Sequence, residues 1–200
     1  GVVLVDSSAT LTSSVPVYFN NTIAGGTDVA GYYLSSFAGT GTYVFNVDST
    51  TINNSTFSNI RVPSGYNLEL TDTMFVSGKA SIRDSVSFQV GPYASSALLV
   101  LNDGADIEIT EGAPMIEQLK INGASTLSHL TSSLSDTLVI QDSLLLYGTL
   151  ALGNNVLHFN TRNSAKGHLK YFGESSNITG DGVVDFDFTG ALEDTSSISA

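Results

Sequence analysis

The stretch DTLVIQDSLLLYGTLALGNNVLHF, from Asp136 to Phe159, carries a hydrophobic pair every six residues. Leu138 and Ile140, Leu144 and Leu146, and Leu150 and Leu152 make the pairs, and Asp142, Gly148 and Asn154 close them. Residues two apart lie on one face of a strand. Six residues are too few for an ordinary antiparallel strand with its turn, since strands alone average about five to six. A strand of about three residues followed by a bend does fit, and Gly, Asn and Asp suit the bends because they tolerate positive φ.

The same beat occurs in NLELTDTMFVSGKASIRDSVSF, with Leu68/Leu70, Met74/Val76, Ala80/Ile82 and Val86/Phe88 separated by Asp72, Gly78 and Asp84. Looser pairs include Tyr43/Phe45, Ile60/Val62, Leu99/Leu101, Ile107/Ile109, Leu119/Ile121, Leu157/Phe159, Leu169/Tyr171 and Val184/Phe186. One such strand cannot bury its face alone, but a stack of copies shares a core. The spacing therefore predicts an all-β, right-handed parallel β-solenoid with short strands. At about 20–25 residues per coil it would form about eight coils or fewer, spaced ~4.8 Å apart. The competing architecture is a β-sandwich or jelly roll, whose turn signals recur every 8–12 residues or so; the six-residue beat argues against it.

Three regions are expected. Residues 1–50 read as an N-terminal cap, flap or interface region with a few strands, because Asn20–Thr42 is Gly-rich and lacks the beat. Residues 51–190 read as the solenoid and 191–200 as a polar linker. The sequence opens at Gly1 with no initiator Met, as expected of a processed chain or a piece of a longer one.

The formal net charge is −12, and the basic residues number seven: Arg61, Lys79, Arg83, Lys120, Arg162, Lys166 and Lys170. Nucleic acids and anionic membranes both require clustered cations, so no nucleic-acid partner is expected. No apolar run reaches the ~18 residues of a membrane span. Cysteine is absent, which excludes disulfides and thiolate metal sites.

The two hexad segments resemble the β-solenoid repeats of large secreted bacterial surface proteins, closest to adhesins and filament-forming proteins of Bacteroidota type exported by the type IX route. The resemblance covers Ile60 to Phe188. It implies an extracellular, cell-surface, non-enzymatic and elongated module within a larger chain or assembly.

No catalytic signature in the sequence is expected to operate. Asp185 and Asp187 in VVDFDF alternate outward as ordinary solvated acids, not as the paired carboxylates of glycoside hydrolysis. Arg162, Lys166, His168 and Lys170 form the only basic cluster along the sequence, read as a charged loop. His129, His158 and His168 lack metal-ligand spacing. His158 is expected at the surface, and NDGADIE, Asn102–Glu108, reads as a turn because it lacks the order of a calcium loop. Sequons at Asn20, Asn53, Asn54 and Asn177 arise readily in so Asn-, Ser- and Thr-rich a chain. No catalytic, cofactor-binding or metal-ligating residue is therefore assigned, and no cofactor. Val139, Leu145 and Leu157 read as a second, outward apolar row, which suggests cover by another chain. The expected partners are other copies of the chain or neighbouring solenoid segments. Cell-surface glycans are a further expected partner, and a carbohydrate-active β-helix is the alternative function.

Overall fold

A computed structural model describes residues 10–20, 36–46, 49–50, 55–70, 73–83, 85–88, 98–109, 113–129, 136–160, 168–171 and 176–187. Among them the chain is all-β and every strand pairing is parallel. The short strands follow from the hexads: three residues reach across one face, then the chain bends.

The described residues form eight coils. The first holds β1 (Thr10–Thr12) and β2 (Val17–Phe19). The second holds β3 (Ser36–Ala38), β4 (Tyr43–Phe45) and β5 (Ser49–Thr50). The third holds β6 (Ser55–Phe57), β7 (Ile60–Val62) and β8 (Asn67–Leu70). The fourth holds β9 (Met74–Val76), β10 (Lys79–Ile82) and β11 (Ser85–Phe88). Next come β12 (Leu99–Leu101), β13 (Asp106–Ile109), β14 (Met115–Ile121), β15 (Ser125–His129) and β16 (Thr137–Leu146). The last two coils close with β17 (Thr149–Ala151), β18 (Val156–Asn160), β19 (His168–Tyr171), β20 (Asn177–Thr179) and β21 (Val183–Asp187).

Stacking places these strands in three columns. Face one runs β1–β3–β6–β9–β12 and on through the second halves of β14 and β16 to β19. Face two runs β2–β4–β7–β10–β13–β15–β17–β20. Face three runs β5–β8–β11, the first halves of β14 and β16, then β18 and β21. The solenoid therefore begins within residues 1–50: β1 to β5 occupy the same columns as later strands. Residues 21–35 of the Asn20–Thr42 stretch and the expected linker at 191–200 lie outside the described residues.

The six-residue beat is one face of a three-sided coil. Leu138/Ile140 sit on face three, Leu144/Leu146 on face one and Leu150/Leu152 on face two; all six are buried. The next coil returns Leu157 to Leu138 and Phe159 to Ile140. Burying each such side chain contributes about 1.5–3 kcal/mol. Aromatic rings fill the first coils: Phe37 lies flat on Phe57 with centroids 4.4 Å apart, and Phe19 on Phe45 at 4.9 Å. The Tyr43 hydroxyl lies 2.9 Å from the Leu11 carbonyl oxygen and 2.8 Å from that of Ala38, which satisfies its polar end inside this apolar cluster.

Two sequence expectations change. Leu157 does not join an outward row: it is fully buried, and the outward partner of Val139 is His158. The extra residue at Asn154–Asn155, next to Gly153 at φ 60°, flips the alternation so that Leu157 points in. Asp142 does not end a strand. β16 runs through it, and the corner between faces three and one is taken by a register shift in which Ile116–Gln118 opposes Ile140–Ser143. Gly148 and Asn154 do stand at breaks between strands.

Candidate functional site: a cationic cleft on face two

Outward residues on face two stack one per coil. Tyr18 pairs with Val44, Val44 with Arg61, Arg61 with Ser81, Ser81 with Glu108, and Glu108 with Ser128. On β10 and just beyond it, Lys79, Ser81 and Arg83 alternate to the same side. A cleft of about 290 Å³ opens on this face, lined by Pro16, Tyr18, Thr42, Val44, Arg61, Lys79, Ser81, Arg83 and Glu108. Three of the seven basic residues thus converge in a chain of net charge −12.

The cleft has a fixed and an uncommitted part. Glu108 accepts a hydrogen bond from Lys79 Nζ at 2.7 Å through Oε2 and from Ser81 Oγ at 2.8 Å through Oε1. Burial pushes the Glu108 carboxyl up, but the bonds from Lys79 and Ser81 and the charges of Lys79 and Arg61 outweigh it and hold it below its usual range. Arg61, on the preceding coil, has a buried Nε that makes no hydrogen bond. An orphaned buried donor costs about 1–3 kcal/mol, more when charged. Val44, though outward, is only 6% exposed and forms an apolar floor, while Tyr18 stands 58% exposed at the rim.

Local sequence explains the arrangement. Alternation on short strands sends every second residue outward, and coil stacking brings Arg61 beside Ser81 although they are twenty positions apart. Along the sequence only Arg162–Lys170 forms a basic cluster, because Arg61 and Lys79–Arg83 lie about one coil apart and meet only in the stack. The legible signal was a basic residue recurring about one coil after another.

The candidates singled out in the sequence fall elsewhere. Asp185 is outward and largely exposed, and its Oδ2 lies 3.0 Å from His158 Nδ1 on the coil before. The acids of Asn102–Glu108 serve the turn and the stack: Asp103 Oδ1 accepts from the Ala124 amide and Asp106 Oδ1 from that of Thr126, each at 2.9 Å. Arg162 and Lys166 lie outside the described residues; for His129, His168, Lys170 and Asp187 the backbone alone is described. Among the described residues no cluster of His, Asp and Glu could hold a metal ion, and no helix is long and apolar enough to cross a membrane.

No protein-family model, curated protein or solved structure matches the chain.

Proposed function

We propose that the chain is a non-catalytic structural and adhesive module of an extracellular filament or cell-surface protein, joined to further copies or neighbouring solenoid segments. The observation that carries this reading is the uninterrupted stacking of all three faces. Each coil is hydrogen-bonded to the next by parallel ladders, and no face is broken by a packed second layer among the described residues. Such a stack resists bending and presents long, regular outer surfaces.

Face one supplies the contact in this proposal. Its outward positions run Phe75, Val100, Lys120 and Leu145, each paired with the next. Val100 is 2% exposed, Leu145 half-buried, and Tyr147 stands 41% exposed with Lys120 Nζ 4.8 Å from its ring centroid. Sedimentation or light scattering over a concentration series tests the reading. Assembly should rise with concentration and weaken in Leu145→Asp, whose far-UV spectrum should stay that of a folded β chain. A chain that remains monomeric at high concentration overturns it.

A further inference from the structure

We propose that the cleft on face two is a ligand site for an acidic sugar, a pyranose ring bearing a carboxylate or sulfate. The inference goes beyond the assembly reading, since a monomer presents the cleft equally well.

Four features select this chemistry. Arg61 lines the cleft, and its guanidinium, a planar fork of N–H donors, is the group best shaped to grip an oxyanion through parallel hydrogen bonds. Arg83 adds a second cation to the same cleft. Tyr18 and Val44 provide an aromatic rim and an aliphatic floor, matching the C–H face of a sugar ring. Glu108 and Ser81 place acceptors beside these donors. A simple anion or an acidic peptide supplies few hydroxyl donors for them, whereas a sugar ring supplies several. Lys79 is held by Glu108 and keeps that carboxylate from repelling the ligand's charge.

The surrounding charge sets a limit on ligand length. A chain of net charge −12 repels a long polyanion beyond the reach of three cations, and at physiological salt the screening length is about 8 Å. The site therefore suits a short or sparsely charged stretch of glycan.

Titration of the full chain with a galacturonic acid trimer, its methyl ester, a sulfated galactose trimer and tri-glutamate, followed by calorimetry and amide chemical shifts, tests the proposal. Binding of the galacturonate or sulfated trimer, with shifts centred on Val44, Arg61 and Ser81, is expected; the tighter of the two names the anion. Arg61→Gln should weaken binding about tenfold or more, as expected for loss of a charged hydrogen bond. Arg61→Lys keeps the charge but loses the fork and should fall between, whereas Asp185→Asn on face three should bind as the parent does. Tyr18→Ala should weaken the sugar. No binding of either acidic sugar, equal binding of the methyl ester, equal binding of tri-glutamate, or unchanged affinity in a folded Arg61→Gln variant overturns the proposal.

Discussion

Asn155 donates from Nδ2 to the carbonyl of Leu127 at 2.9 Å, reaching from one coil to the coil beneath it. The same amide group also donates to Leu152 at 2.8 Å, and its Oδ1 accepts from the Asp136 amide at 3.2 Å. One side chain, 5% exposed, thus serves three backbone groups at the corner where the alternation flips.

Asn155→Ala removes all three contacts without offering water a path to the freed groups. A loss of roughly 2–4 kcal/mol is expected, read from urea unfolding. Its neighbour Asn154 is exposed, and Asn154→Ala should change stability by no more than about 0.5 kcal/mol. Equal effects of the two substitutions would refute the assigned role.

Two glycines separate conformational strain from coil crowding. Gly65 adopts φ +85° with open space where a Cβ would stand, so Gly65→Ala should cost only the left-handed penalty of about 1–2 kcal/mol. At Gly148 an added Cβ would lie 2.4 Å from the Gly123 carbonyl oxygen of the preceding coil. Because that atom is backbone and belongs to the stack, Gly148→Ala should lower the melting temperature more than Gly65→Ala. The reverse order would show that the coils can part at this corner.

Glu108 links pH to stability. Its folded pKa is below its ordinary value of 4.5, so its contribution is present above that pH and is lost as pH falls through the folded value. Chemical denaturation between pH 7 and 3 should show a steeper acid loss for the parent than for Glu108→Gln. Parallel curves would mean that Lys79 and Ser81 do not hold the carboxylate in solution.

Leu144 is fully buried on face one, paired with Leu119 below and Leu169 above. Leu144→Ala should cost about 2–5 kcal/mol through lost burial and the cavity left behind. Leu145→Asp, one position on but outward, should cost far less in the same unfolding experiment.

The inward residues of the hexads were legible because a period-two pair needs only local sequence. Leu68, Leu70, Met74, Val76, Ala80 and Ile82 all lie in the core as that pattern requires. The corners were less legible. Asp142 resembles Gly148 as a punctuating residue, yet a register shift carries β16 through it, and such a shift depends on the partner strand. Leu157 faces inward because the inserted residue at Asn154–Asn155 inverts the alternation, which no local pattern announces. The cleft was not legible at all without the coil length: Arg61, Ser81 and Glu108 become neighbours only once successive coils are aligned.

Coil length varies while the inward positions of face one stay paired. Leu11 pairs with Phe37, Phe37 with Phe57, Phe57 with Val76, Val76 with Leu101 and Leu101 with Ile121, so one circuit takes between 19 and 26 residues. Face one keeps its inward positions paired across circuits of unequal length. Circuits of unequal length under one aligned face are thus the ports through which new sequence can enter this protein: a peptide grafted between two paired strands would lengthen one circuit while the ladders above and below it stay in place.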